Sequence, residues 1–250
     1  AGDDNWAVNR GAEGDVEPAE APVGEEFALV ANGKNISLTA GTYDVYVSSA
    51  FDKVMFMAEG KEPAKYVEWI YVPGNHQGWS PATAPALRSA NKDGVYTGFV
   101  NFNGDFKFTQ VRDWAGEYNS GHFETYADGF AASTDGSNIT APAGYYYVTA
   151  NVPEKKLDAV KVVWGVIGDA TTGGWDTDQD MAWDDAKKCW TAEVALTAAG
   201  GWKFRANDAW AINLGGAFED LTMDGGNMSV TEDGTYAIEL YTERTDTDKF

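Results

Sequence analysis

The chain has 250 residues, of which 44% are hydrophobic, and this is enough apolar material for folded domains with cores. Its 39 acidic and 18 basic residues give a net charge of −21, which disfavours nucleic acid as a partner because phosphate would meet like charge. The single cysteine, Cys189, excludes an intrachain disulfide, and no stretch approaches the ~18 apolar residues that a membrane-spanning helix needs.

The predicted elements are β-strands throughout, since segments rich in aromatic and β-branched residues alternate with turns of Gly, Asn and Asp. In the middle of the chain the predicted strands cover residues 68–73, 95–102, 106–109, 137–140 and 144–152. In the C-terminal part they cover residues 162–167, 189–196, 201–205, 228–231 and 235–241. No segment shows a long helical period, so the sequence predicts an all-β fold.

A pattern of two tryptophans and one lysine occurs twice with the same internal spacing. Trp79, Lys107 and Trp114 correspond to Trp175, Lys203 and Trp210, and a third, incomplete copy with Trp6 and Asn9 opens the chain. A period of roughly one hundred residues indicates tandem domains, because solenoid units repeat at about 20–50 residues.

The repeats place domain boundaries near Lys65 and Lys161. Residues 1–65 are predicted to be the C-terminal half of a truncated β-sandwich module. Residues 66–160 and 161–250 are each predicted to be a complete β-sandwich module, called here the central and the C-terminal module. The linkers are short, which limits the relative orientations of the modules without making them one rigid body.

The chemistry of the repeated residues suits a sugar. Flat sugar faces carry C–H groups that pack on exposed indole rings, and a lysine alongside can donate hydrogen bonds to hydroxyls. All four repeated tryptophans stand in polar segments rich in Gly, Asn or Asp, which are predicted to be loops. A loop tryptophan can instead anchor its loop on the core, but two such loops with a lysine between them favour a ligand site.

Strand alternation separates the cations of the repeat from its core residues. If Trp202 and Phe204 face the core, then Lys203 and Arg205 face outward together. The central module keeps Lys107 but has Thr109 where the C-terminal module has Arg205. The remaining tryptophans, which lie in or near predicted strands, are predicted to be core or rim residues: Trp69, Trp164, Trp183, Trp190 and Trp202.

Three runs carry a family resemblance: YVPGNHQGWSP at 71–81, GVIGDATTGGWD at 165–176 and KFRANDAW at 203–210. They resemble the SusE/SusF family, outer-membrane starch-binding lipoproteins of Bacteroidetes glycan-uptake systems. The resemblance implies tandem immunoglobulin-like β-sandwich carbohydrate-binding modules without a cofactor or a metal. It implies starch or a maltooligosaccharide as ligand and an outer-membrane glycan transporter complex as partner. It also implies a place on the cell surface, through a lipid anchor that would precede Ala1.

Carried over by position, the resemblance nominates carbohydrate-binding residues in both complete modules. In the C-terminal module they are Trp175, Lys203, Arg205, Asn207 and Trp210. In the central module they are Trp79, Lys107 and Trp114, with Tyr118 as an added aromatic that compensates for the missing arginine. The first segment keeps only Trp6 and Asn9, so we expect no sugar site there.

Other functions remain as alternatives. An enzyme is disfavoured because no pair of acids recurs beside the tryptophans of both modules, as glycoside hydrolysis would require. The acidic run 176–180 resembles the opening of a calcium loop, but its twelfth position is Lys187 where an EF-hand needs Glu, which leaves only a calcium site of another kind. The modules could also be spacers or protein-docking domains, and the glycan could differ from starch.

Overall fold

The computed structural model describes residues 9–15, 17–134 and 136–244, and the chain divides into two compact units, Ala1–Lys65 and Tyr66–Phe250. The predicted all-β class is confirmed. Helical structure in the described ranges is limited to short 3-10 turns at Asn75–Gln77, Pro81–Thr83 and Ser120–His122. None of the described helices is long and apolar enough to cross a membrane.

The first unit is a small set of strands with few buried side chains. Its strands are β1 (Arg10–Ala12), β2 (Ala19–Glu20), β3 (Glu26–Ala31), β4 (Ile36–Ser37), β5 (Tyr43–Val47) and β6 (Lys53–Ala58). One sheet has the order β1-β3-β6-β5, and β2 pairs with β4. The predicted remnant Trp6 lies outside the described residues, and the Asn9 side chain donates a hydrogen bond to Asn32 Oδ1 at 3.0 Å.

The central module forms one continuous sheet around its core, rather than two separate facing sheets. Its strands are β7 (Trp69–Tyr71), β8 (Ala86–Arg88), β9 (Val95–Phe106), β10 (Phe108–Thr109), β11 (Glu117–Tyr118), β12 (Thr125–Tyr126), β13 (Ala131–Ala132), β14 (Ile139–Asn151) and β15 (Lys156–Lys161). The order is β11-β10-β7-β8-β9-β14-β15-β12, and β13 pairs with β14. The single sheet can curve around the core because β9 and β14 are long, with 12 and 13 residues. Their pairing is also bent by a register shift between Ala141 and Gly144.

The C-terminal module has two sheets around a shared core. Its strands are β16 (Trp164–Gly168), β17 (Gly174–Asp180), β18 (Ala182–Asp184), β19 (Cys189–Leu196), β20 (Lys203–Ala206), β21 (Ala209–Ala217), β22 (Asp220–Met223) and β23 (Gly234–Leu240). The orders are β17-β16-β20-β21-β22 and β18-β19-β23. The buried core includes Trp164, Trp190, Trp202 and Phe204, as predicted for the strand aromatics. The predicted strand 228–231 is reduced to a single bridge between Met228 and Trp202.

The central and C-terminal modules share buried residues and lie in the same compact unit. Phe99 and Tyr145 of the central module belong to the core that contains Trp164, with 5.6 Å between the ring centroids of Phe99 and Trp164. Beyond β23 the chain returns to the central module, where the backbone oxygen of Arg244 accepts a hydrogen bond from Ala86 N at 2.6 Å. The junction is therefore more tightly packed than its short linker predicts.

The returning segment carries a carboxyl group whose ionisation opposes folding. Burial raises the pKa of Glu243 to about 7 from an ordinary 4.5, although the backbone N–H of Asn101 donates to this side chain and the Lys188 charge acts in the opposite direction. Between these pKa values the folded protein binds more protons than the unfolded chain, so its stability falls as the pH rises from about 4.5 to about 7. Above about pH 7 the ionisation of Glu243 causes no further fall in stability.

Replacing Glu243 with Gln should remove this pH dependence, because the amide stays neutral and can still accept from Asn101. We expect the variant to melt at a higher temperature than the parent at pH 8 and at nearly the same temperature at pH 4.5. Thermal melts at the two pH values check this, with Glu193→Gln as an exposed control. An equal change in melting temperature at both pH values would contradict the assignment.

Candidate functional site

The two repeated tryptophans of the C-terminal module lie side by side. Trp175 and Trp210 have ring centroids 6.0 Å apart and ring planes inclined by 40°. Trp210 is 46% exposed and Trp175 is half-buried. The prediction of loops is wrong here, since Trp175 is the second residue of β17 and Trp210 the second residue of β21. Both rings nonetheless stand at the start of a strand, where a side chain can reach the surface.

The central module repeats this pair with different local structure. Trp79 and Trp114 have ring centroids 6.3 Å apart, with planes inclined by 33°, and both lie in loops as predicted. Trp79 has a positive φ of 60° and its indole Nε1 donates to Asn75 Oδ1 at 2.7 Å. That hydrogen bond fixes the orientation of the ring. Trp114 is 47% exposed, so both pairs present ring surface to solvent.

The guanidinium group of Arg205 packs against the Trp210 ring rather than pointing into solvent. Trp202 and Phe204 are buried as predicted, but the prediction that Lys203 and Arg205 face outward is wrong, since they are only 9% and 7% exposed. The Arg205 guanidinium carbon lies 4.9 Å from the Trp210 ring centroid. Both oxygens of Asp178 accept from Arg205, with 3.1 Å from Nε to Oδ2, and the two side chains are almost fully buried.

Asp178 was not identified from the sequence as a site residue, because the acidic run 176–180 reads as a solvated loop. In the structure this run belongs to β17, which places Asp178 over Gly165 of β16. A Cβ at Gly165 would lie 2.9 Å from the Cβ of Asp178, so the carboxylate needs glycine beneath it. Among the described residues no group of three or more His, Cys, Asp or Glu side chains could hold a metal ion.

Replacing Asp178 with Asn should weaken the C-terminal module without unfolding it. The amide keeps one acceptor for Arg205 but loses the charge, and a hydrogen bond to a charged group contributes about 1.5–3 kcal/mol. We expect the free energy of unfolding to fall by about 2 kcal/mol. Urea denaturation of the variant measures this, and Asp176→Asn at an exposed neighbouring position serves as the control. Equal unfolding midpoints for the two variants would show that the ion pair is not structural.

Two polar groups of the C-terminal site have no partner. Lys203 is 9% exposed, and none of the described residues accepts a hydrogen bond from its Nζ. Asn213 is 3% exposed and donates from Nδ2 to the Trp210 oxygen at 2.9 Å and to Asp224 Oδ1 at 2.7 Å, while its Oδ1 is buried without a partner. Leaving a buried oxygen such as Asn213 Oδ1 unpaired costs free energy. A ligand that brings hydroxyl groups could satisfy both.

The central site differs because its lysine is paired. Lys107 Nζ lies 3.1 Å from Glu117 Oε2 and 5.9 Å from the Trp114 ring centroid. Glu117 pairs with Thr109 across β10 and β11, as Asn213 pairs with Arg205 across β20 and β21, so Glu117 and Asn213 are structural equivalents. Among the described residues Lys203 of the C-terminal site therefore forms no ion pair, whereas Lys107 of the central site forms one.

Two nominated residues have structural roles instead. Asn207 forms a turn with a positive φ of 54°, and its side chain accepts from Val163 N at 2.9 Å and donates to the Lys161 oxygen at 2.7 Å. Tyr118 is 8% exposed and packs in the core against Tyr96 and His122, so it adds no exposed aromatic ring to the central site. We assign both to the scaffold.

Thr109, which stands where the C-terminal module has Arg205, is also fully buried and donates to the Val111 oxygen at 2.7 Å.

Comparison with solved structures finds three matching chains, one of which is described here. No protein-family model matches the chain, and no curated protein matches it by sequence. A solved structure described as SusF from Bacteroides thetaiotaomicron matches with a TM-score of 0.46 and 14% sequence identity, over 95% of this chain and 56% of that one. The chain thus spans just over half the length of that protein.

Proposed function

We propose that the chain is a non-catalytic polysaccharide-binding protein, with one shallow site on the central module and one on the C-terminal module. The observation that carries the proposal is the repeated pair of inclined tryptophans, 6.3 Å apart in one module and 6.0 Å in the other, each with a cation beside it. One pair lies in loops and the other at the starts of strands, yet the distance and the angle between the two rings are nearly the same.

The geometry supports a curved glycan. Each indole face packs against the C–H groups of a sugar ring, and rings inclined by 33–40° follow a chain that turns from one sugar to the next. An α-glucan such as starch has that curvature, whereas coplanar rings suit a straight chain. Starch or a maltooligosaccharide is therefore our preferred ligand. In the C-terminal site Lys203 supplies N–H donors for sugar hydroxyls.

The carboxylates beside the rings support a binding role over a catalytic one. Glycoside hydrolysis uses one carboxyl group as acid and a second as base or nucleophile, roughly 5–10 Å apart. Here Asp178 is bound by Arg205, and Glu117 is bound by Lys107. Both carboxylates are engaged in ion pairs with the cations beside the rings, which supports a structural role for them.

The cellular part of the proposal depends on the sequence resemblance to SusE/SusF. From it we infer that the protein lies on the outer-membrane surface through a lipid anchor and captures glycan for an uptake complex. Two sites within one compact unit would raise retention on a polymer through effective concentration, provided that one chain reaches both. Single sites of this kind are expected to bind weakly.

Affinity electrophoresis tests the proposal. The protein is run on native gels that contain amylopectin, dextran, xylan or levan, beside a non-binding reference protein. We expect retardation in amylopectin, and retardation in another polymer alone would retain glycan binding but change the ligand. Migration equal to the reference in all four polymers would overturn the proposal and favour spacer or docking modules.

A further inference from the structure

A turn of the C-terminal module lies against β21 beside the tryptophan pair. It covers residues 224–226, follows β22, and is called here the Asp224 turn. The backbone N–H of Asp224 donates to the Asn213 oxygen at 3.2 Å. A Cβ at Gly215 would lie 2.3 Å from the Gly226 oxygen and 3.0 Å from Lys203 Cε. The turn and the Lys203 side chain therefore meet above Gly215 of β21.

Asp224 is joined to Trp210 through one amide nitrogen. Asn213 Nδ2 donates both to Asp224 Oδ1 at 2.7 Å and to the backbone oxygen of Trp210 at 2.9 Å. Asp224 is exposed, whereas Asn213 is buried. The carboxylate therefore stands at the surface, separated by a single hydrogen-bonded side chain from one of the paired tryptophans.

The charge of Asp224 is not balanced by a neighbouring cation. Arg205 is bound by Asp178, and none of the ion pairs among the described residues includes Asp224 or Lys203. The C-terminal site thus contains one carboxylate and one ammonium group that no charged side chain of the described ranges neutralises. A carboxylate only accepts hydrogen bonds and an ammonium group only donates them. A neutral hydroxyl group, which both donates and accepts, suits either of the two.

The first unit shows what such a turn needs in order to fold. There Asn32 occupies the equivalent position, and its Oδ1 accepts from Asn9 Nδ2 at 3.0 Å, as Asp224 accepts from Asn213. The backbone φ is 54° at Asn32 and 55° at Asp224, a left-handed conformation that Asn and Asp both tolerate. An amide therefore satisfies the fold, and the negative charge of Asp224 is not needed for it.

We propose that Asp224 is a specificity-determining residue of the C-terminal site, which accepts hydrogen bonds from sugar hydroxyls and selects neutral over acidic glycans. The inference rests on the proposed sugar site at Trp175 and Trp210. Two neighbouring hydroxyls of a neutral sugar can donate to Asp224 and accept from Lys203. A sugar carboxylate cannot donate, and it would meet both the charge of Asp224 and a chain of net charge −21.

Asp224→Asn tests this role because the amide keeps an acceptor for Asn213 and removes only the charge. The parent for the test is the full chain with Trp79→Ala and Trp114→Ala, so that the C-terminal site is measured alone. Isothermal titration calorimetry uses maltohexaose as the neutral probe and hexagalacturonate as the acidic probe. We expect the parent to bind hexagalacturonate at least about tenfold more weakly than maltohexaose. Asp224→Asn should weaken maltohexaose binding about tenfold without weakening hexagalacturonate binding.

Asp185→Asn is the matched control, since this side chain is 79% exposed on the turn between β18 and β19 of the other sheet. It should leave both affinities unchanged, and both variants should melt within about 2 °C of the parent. Unchanged maltohexaose affinity in Asp224→Asn, an equal loss for the two probes, or equal affinity of the parent for both would overturn the role of Asp224 alone. A parent that binds neither probe would overturn the proposed sugar site itself, and this inference with it.

Discussion

A chain that carries Trp175→Ala and Trp210→Ala, in a background with Trp79→Ala and Trp114→Ala, should lose all retention on the glycan that retards the parent. Each exposed ring of a pair contributes packing area that water cannot replace, and loss of one such anchor costs about 2 kcal/mol of binding free energy, which is roughly a thirtyfold loss of affinity. Affinity electrophoresis of the parent, the two double variants and the fourfold variant measures this.

The two double variants should differ from each other. The C-terminal site keeps an unpaired Lys203, whereas Lys107 of the central site is bound by Glu117. Loss of the C-terminal pair should therefore reduce retention more than loss of the central pair. All four tryptophans are at least partly exposed, so far-ultraviolet circular dichroism should match the parent. Full retention of the folded fourfold variant would contradict the site assignment.

Trp190→Ala should have the largest effect on stability. Trp190 is 6% exposed, and its ring lies 5.5 Å from Tyr145 of the central module and 5.8 Å from Trp183. Removing a buried aromatic side chain leaves a cavity and typically costs about 3–5 kcal/mol. For a unit of this size the melting temperature should fall by roughly 6–20 °C. A thermal melt of Tyr66–Phe250 or of the full chain measures it.

Trp210→Ala is the matched control for this change, since it removes the same side chain from a half-exposed position of the same module. Its melting temperature should stay within about 2 °C of the parent. If the Trp190→Ala protein had the same melting temperature as this control, Trp190 would not be a core residue. Loss of both modules in one transition is expected, because the cavity lies at their junction.

The sequence predicted those parts of the site that repeat. Equal spacing placed Trp79 beside Trp114 and Trp175 beside Trp210, and strand alternation correctly put Trp202 and Phe204 in the core. These predictions depend on local periodicity and on comparison of one copy with another. Both are visible without knowing which strands are neighbours.

The sequence could not predict the residues that act across strands. Asp178 matters because β17 brings it to Arg205, and Glu117 because β11 brings it to Lys107. The alternating acids of 176–180 are compatible with a strand, but a loop is the commoner setting for such a run. Glu117 and Asn213 stand at the same sequence distance from Lys107 and Lys203, and this is the signal of the cross-strand contact that the sequence does carry.

The packing of Phe99 and Tyr145 against Trp164 also bears on how such a chain could grow. The unit copied in the sequence is about one hundred residues long, whereas the unit that buries its aromatic residues is nearly twice that length. A copy of the C-terminal repeat without the central module would expose the aromatic residues, such as Trp164, that pack against Phe99 and Tyr145. Each added repeat must therefore find a neighbour of matching shape, which constrains the order in which the repeats can be joined.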